Sequence, residues 1–197
     1  MNINAVHTDI FATRLWTFDL SELSQYYPAW QSDLERRRKE NPVPAGRSNK
    51  AGWNSDLTLF HDPLFAPLLE ACLAATKHAL IQMLPNKELQ FRLDAWANIH
   101  DPGAYNESHL HPNVLLSGCF YLSVPAVSGA ISFRDPRAAL VASLFQGAGA
   151  NSHQKAFIEP REGMLVLFPN WLEHFVEPHE GVAPRVSIAM NALLPSQ

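Results

Sequence analysis

The chain has 197 residues, enough for one well-packed domain, and 47% of them are hydrophobic while 17% are charged. Its formal net charge of −4 gives no basic footprint for nucleic acid, and the one basic run, within residues 35–40, is framed by acids. The N-terminal residues lack a signal-peptide pattern, and no apolar run approaches the roughly 20 residues that span a bilayer. Two cysteines without CxxC spacing predict buried thiols, so we expect a soluble cytoplasmic protein.

The first half of the chain predicts one strand and two helices. Residues 10–20 carry the partly alternating apolar pattern of a strand, and a helix is expected over residues 21–40. Residues 42–55 are rich in Gly, Pro, Asn and Ser and predict an irregular connection, which either lines the mouth of a cleft or is an ordered loop held by Trp53. A second, amphipathic helix is predicted over residues 63–84, with proline near its first position.

The second half of the chain predicts strands separated by turns. From residue 89 onwards apolar residues recur with a period of two or in short continuous runs. The predicted strands are 89–99, 114–124, 130–133, 156–160, 164–168 and 185–193. The stretch 135–152 is rich in Ala and Gly without periodicity and is interpreted as a mobile loop or lid over the substrate.

This order of elements predicts a mainly β protein with a helical buttress (α+β), arranged as a double-sheet jelly roll. We expect a single domain over residues 1–197. In it, residues 1–88 supply a strand and helices that pack on a jelly-roll core formed by residues 89–193.

Three histidines and one arginine form the candidate site. His109 and His111 are two residues apart, so on an extended segment their side chains point to the same face and can chelate one metal. His174 follows a buried strand that can hold it rigidly, and it is the candidate third ligand. Arg185 opens the last strand with Ser187 on the same face, a combination suited to binding a carboxylate. A metal beside such a clamp predicts a dicarboxylic acid held between them.

These residues belong to a longer series of motifs: an aromatic residue before H-x-D, then T/S-x-x-x-Y-L, G-x-x-x-F, P-x-x-G-x-L-x-x-F, H and R-x-S. The matching residues are Tyr105, His109, Ser117 through Tyr121-Leu122, Gly129 through Phe133, Pro160 through Gly163, Leu165, Phe168, His174, Arg185 and Ser187. In this series the chain from about Trp96 to Asn191 resembles the iron- and 2-oxoglutarate-dependent oxygenases. The resemblance is greatest to small bacterial and phage members of the prolyl-hydroxylase-like branch.

The resemblance implies a double-stranded β-helix with Fe(II) as cofactor and 2-oxoglutarate as cosubstrate. It implies an oxidoreductase that decarboxylates 2-oxoglutarate to succinate and hydroxylates a bound substrate. The implied iron ligands are His109, His111 and His174. The residues implied to bind 2-oxoglutarate are Arg185, Ser187, Tyr105, Tyr121 and Asn98.

The chain departs from the family at one ligand, because His111 stands where H-x-D has its carboxylate. Three neutral imidazoles leave iron with a higher net charge but still leave three coordination positions open. Glu107 shares the face of His109 if the strand begins that early, and it is the reserve ligand or a partner of the ligands.

Two alternatives stay open. A cupin-type metalloprotein would use three histidines for dioxygenase or isomerase chemistry without 2-oxoglutarate, although residues 112–120 lack the glutamate of that pattern. A non-catalytic relative would keep the barrel and only bind a metal or ligand.

We expect a small-molecule or peptide substrate and no nucleic acid or membrane partner. The apolar helix could serve a homodimer as well as a core.

Overall fold

A computed structural model describes residues 11–85, 87, 89–137 and 155–195 of the chain. Helix α1 covers Tyr27–Glu40 and helix α2 covers Ala66–Met83, and each continues a 3-10 turn, Ser21–Tyr26 and Pro63–Phe65 respectively. The strands are β1 (Trp16–Asp19), β2 (Asn49–Lys50), β3 (Trp53–Asn54), β4 (Arg92–His100), β5 (Tyr105–His109), β6 (Leu116–Ser123), β7 (Ile131–Arg134), β8 (Lys155–Ile158), β9 (Met164–Pro169), β10 (His174–Val176) and β11 (Arg185–Leu193).

The strands form two antiparallel sheets that pack against each other. The major sheet has the order β1-β9-β6-β11-β4-β3, and the minor sheet has the order β2-β5-β10-β7-β8. Non-sequential neighbours within each sheet, such as β9 beside β6, are the crossovers expected of a jelly roll. The predicted fold class, a double-stranded β-helix with helical buttressing, is confirmed.

Strand alternation divides the major sheet into two faces and therefore creates two cores. The outer face packs on the helices, where Trp30 is fully buried between Phe65 and Phe120, at ring-centroid distances of 5.9 and 6.3 Å. The inner face meets the minor sheet, where Phe168 packs on Phe133 at 5.1 Å. The inner face is the one that carries the candidate site residues of β11.

The segment predicted as an irregular connection contains two very short strands. Strand β2 pairs with β5 and strand β3 pairs with β4, so this segment closes one edge of both sheets. Trp53 is buried and its Nε1 donates to the carbonyl of Asn41 at 2.8 Å, which holds the loop. The same segment also lines a cavity, so both roles expected of it are present. Most of the predicted lid, 135–152, lies outside the described residues.

One described segment, Pro63–Met83, is long and apolar enough to cross a membrane by length and composition alone. The expectation that the chain has no such segment was therefore wrong. A core helix passes the same test, and α2 buries Leu68, Cys72 and Ala79 in the core shared with the major sheet. Cys72 and Cys119 are both buried free thiols, as predicted.

Candidate metal centre

Three histidines from β5, the segment after it and β10 converge on one point between the sheets. His109 and His174 are Cα partners across β5 and β10, and the backbone N–H of His111 donates to the carbonyl of Asn170 at 3.0 Å. The ring centroids of His109 and His174 are 4.3 Å apart, and that of His111 lies 5.0 and 5.1 Å from them. One ring nitrogen from each residue lies within 4.8 Å of the other two, the spacing expected of ligands to one ion.

Each imidazole is oriented by a carbonyl oxygen at its Nδ1. The contacts are 2.7 Å from His109 to the carbonyl of Glu107, 2.9 Å from His174 to the carbonyl of Leu172, and 2.7 Å from His111 to Oδ1 of Asn191. Because a carbonyl oxygen only accepts, the proton sits on each Nδ1 and each Nε2 carries the lone pair that a metal would need. In this structure Nε2 of His109 accepts from the hydroxyl of Ser48 at 3.3 Å, a contact that a metal would replace. Such oxygen partners raise ligand basicity and fix ring orientation in metal sites.

The electrostatics of the cluster favour the neutral, metal-binding form of each ring. Burial lowers the pKa of His111 to about 4, with a further contribution from nearby His109. Burial likewise lowers the pKa of His174 to about 3, and it moves the pKa of His109 downwards. Within the described chain, Nε2 of His111 is buried without a hydrogen-bond partner, as expected of a ligand atom. Three neutral imidazole nitrogens suit a divalent transition metal such as Fe(II).

Glu107 does not belong to this cluster. The pairing of β10 with β5 shifts between His174 and Val176, so that two steps along β10 match three along β5. This bulge breaks the alternation that would have put Glu107 on the face of His109. Its carboxylate instead lies 3.1 Å from Nζ of Lys50 at the surface. The reserve role predicted for Glu107 as a ligand is therefore wrong.

Arg185 lies deeper between the sheets, only 2% exposed. Its guanidinium carbon is 5.2 Å from the ring centroid of Tyr121, and its Nη1 donates to Nδ1 of His100 at 3.1 Å. No carboxylate among the described residues pairs with it, and its Nε and the hydroxyl of Tyr121 are buried without partners. Burial of a cation without an anion destabilises a protein by roughly several kcal/mol. The surroundings of Arg185 therefore fit a carboxylate that a ligand supplies.

The other predicted 2-oxoglutarate residues differ in position. Ser187 and Asn98 are Cα partners on β11 and β4, both buried, and Tyr121 is the partner of Ser187 on β6, so the three form one row across the major sheet. Tyr105 is 37% exposed on β5, and its hydroxyl makes no hydrogen bond to the described residues, so its role stays a prediction.

Sequence reasoning gave no role to two residues that contact the predicted site residues. Asn191 Oδ1 accepts from His111 and also from Ser117 Oγ, at 2.7 and 2.9 Å, and His100 accepts from Arg185. Both lie on the inner faces of β11 and β4 together with Ser187 and Asn98. The alternation of those strands predicts that both residues lie on the inner face, but it does not predict which residues they contact.

Comparisons with known proteins support the fold and the class of enzyme. A sequence profile of the family described as "Putative 2OG-Fe(II) oxygenase" matches residues 94–191, while no curated protein matches the chain. The fold resembles a prolyl-4-hydroxylase from Pseudomonas putida, with 18% identity, coverage of 93% of this chain and 94% of that chain, and a TM-score of 0.66.

Two further structures share the fold. HygX from Streptomyces hygroscopicus, solved with nickel, 2-oxoglutarate and hygromycin B bound, is 13% identical with a TM-score of 0.62, covering 92% of this chain and 83% of that one. The epimerase SnoN, in complex with Fe3+, α-ketoglutarate and nogalamycin RO, is 13% identical with a TM-score of 0.65, covering 92% and 79%. Residues 94–191 of the chain thus match the 2OG-Fe(II) oxygenases, a family of oxidoreductases with iron as cofactor and 2-oxoglutarate as cosubstrate.

Proposed function

We propose that the protein is a dioxygenase that hydroxylates a small-molecule substrate while 2-oxoglutarate is decarboxylated to succinate. The observation that carries the proposal is the buried guanidinium of Arg185, which has no carboxylate partner among the described residues and lies in the same barrel as the three converging histidines. A dicarboxylic acid bridging the two explains both features. A cupin-type enzyme that does not use 2-oxoglutarate would leave the buried charge of Arg185 without a function.

In this proposal His109, His111 and His174 hold iron through Nε2, and each Nδ1–H stays bound to its oxygen acceptor. Bound iron would supply the oxidising chemistry, in which R–H, O2 and 2-oxoglutarate become R–OH, succinate and CO2. Arg185 binds the distal carboxylate of 2-oxoglutarate. The buried hydroxyls of Tyr121 and Ser187 lie in the adjacent row and offer further donors.

The side chains around the site also exclude water. Phe168 packs against His174 with ring centroids 4.5 Å apart, and Trp96 stacks on His111 at 6.0 Å. These aromatic contacts cover two of the three imidazoles and limit their rotation. The chain thereby preorganises the ligands before iron binds, which lowers the entropic cost of binding.

The test is succinate production from 2-oxoglutarate, measured by NMR with Fe(II), ascorbate and O2 and without added substrate, since uncoupled turnover is sufficient. Loss of one partner from a buried charge pair costs about 2–5 kcal/mol, so Arg185→Gln should lower kcat/KM for 2-oxoglutarate roughly 30-fold or more. The control is Arg36→Gln, because Arg36 is an exposed arginine on α1. Equal kinetics in the wild type and Arg185→Gln, or no succinate from the wild type, would contradict the proposal.

A further inference from the structure

A cavity of about 320 Å³ opens beside the three histidines. On its histidine side it is lined by His109 and His111, and Trp96 supplies an aromatic wall. Leu110 and Pro112 add apolar surface, and residues 46–48, just before β2, also line the cavity. The cavity has room for a small molecule next to the metal centre.

Arg47 is the one cation among the described residues that line this cavity. Its guanidinium carbon lies 5.6 Å from the ring centroid of Trp96, a cation–π contact at the cavity wall. It forms no salt bridge with any carboxylate in the described part of the chain. Its charge is therefore available to a ligand.

The backbone holds Arg47 in an unfavourable conformation. Gly46 and Arg47 both have positive φ, 86° and 73°, and the left-handed region costs an L-residue roughly 1–2 kcal/mol. Asn54, only 3% exposed, stabilises this turn from both sides. Its Oδ1 accepts from the N–H of Gly46 at 3.1 Å and its Nδ2 donates to the carbonyl of Gly46 at 3.2 Å. Backbone strain that is held by such contacts points to a functional position.

No acidic side chain among the described lining residues neutralises the positive charge of Arg47. No Asp or Glu is found among the described lining residues of the cavity, and Asp94, on the strand of Trp96, is already paired with Arg92. The histidine at position 111 contributes no negative charge where the family motif has a carboxylate. Asn49 also lines the cavity, and its side-chain oxygen and nitrogen are buried without hydrogen-bond partners in the described chain.

We propose that the substrate is a small carboxylic acid. Its carboxylate binds Arg47 and Asn49, and its apolar or planar part packs on Trp96 beside Leu110 and Pro112. This inference rests on the proposed function, because the cavity is taken as the substrate side of the metal centre. It predicts that the protein binds anionic substrates more tightly than neutral analogues of the same shape.

The test compares carboxylates with their primary amides, which have nearly the same shape and no charge. Protein loaded with Zn(II) and 2-oxoglutarate is titrated with hippurate or hippuramide, and with phenylacetate or phenylacetamide, while the indole N–H signal of Trp96 is followed by NMR. Because a charge-assisted hydrogen bond is worth about tenfold or more in affinity, each carboxylate should reach half-saturation at about tenfold lower concentration than its amide.

Two variants locate the effect. Arg47→Gln should reduce the carboxylate preference to under about threefold and leave 2-oxoglutarate binding within about twofold of the wild type. Lys50→Gln is the matched control, because Lys50 is a cation of the same segment that pairs with Glu107 outside the cavity. This control should retain the preference.

The outcomes separate the two proposals. Equal binding of carboxylates and amides, no shift with any of the four compounds, or a preference that persists in Arg47→Gln would overturn the substrate inference. Calorimetry of 2-oxoglutarate binding to the same Zn(II) protein tests the proposed function independently. Binding of 2-oxoglutarate without a carboxylate preference therefore refutes only the substrate class.

Discussion

Replacement of Asn191 by alanine tests how the third imidazole is held. Asn191 Oδ1 is the acceptor for both His111 Nδ1 and Ser117 Oγ, at 2.7 and 2.9 Å. Two hydrogen bonds worth about 1 kcal/mol each are lost, so the metal-free variant should be about 2 kcal/mol less stable. Without its acceptor the His111 ring is free to rotate and change tautomer. Loss of such a partner costs roughly 10–100-fold in metal affinity.

The assay is an anaerobic Fe(II) titration of the folded variant beside a urea denaturation of the metal-free form. Ser117→Ala is the matched control, because it removes one donor to Asn191 and leaves the bond to His111 intact. It should cost about 1 kcal/mol of stability and keep the dissociation constant of iron within about twofold. The reasoning is refuted if Asn191→Ala binds iron as tightly as the wild type, or if Ser117→Ala weakens binding as much.

Two further predictions concern Glu107 and His100. Glu107→Gln should keep the iron affinity within about twofold of the wild type and the stability within about 1 kcal/mol, because the ion pair of Glu107 with Lys50 is exposed. In the same iron titration, His109→Ala should abolish binding. Burial, aided by the charge of Arg185, lowers the folded-state pKa of His100 to about 3 from 6.5, so the unfolded chain takes up a proton first as the pH falls. Between pH 7 and pH 5, His100 should therefore lower the unfolding free energy of the metal-free protein by about 2 kcal/mol. This contribution should be missing in His100→Gln. Equal pH dependence of the two proteins in denaturation experiments would contradict the prediction.

The elements with clear periodicity could be predicted from the sequence. Strand β11 begins and ends at the predicted residues, and its alternation places Arg185 and Ser187 on the buried inner face. The two-residue spacing of His109 and His111 also led to the cluster that the structure shows with His174. Their assignment as iron ligands remains a prediction that the experiments above test.

Other features depend on contacts between distant segments and could not be predicted. The bulge of β5 is visible only in its pairing with β10, and it turns Glu107 away from the metal centre. Strand β10 has three residues, and β2 and β3 have two each, too short for a periodic signal. The contact between His111 and Asn191 joins residues 80 positions apart, so no local pattern reports it.

The central claim is that three histidines and Arg185 bind iron and 2-oxoglutarate in one site. The most direct test is anaerobic addition of Fe(II) and then 2-oxoglutarate, while the visible metal-to-ligand charge-transfer band is recorded. We predict a band that requires both additions, is absent in His174→Ala, and needs much more 2-oxoglutarate in Arg185→Gln. Iron binding without a band in the wild type, or an unchanged 2-oxoglutarate requirement in Arg185→Gln, would contradict the account.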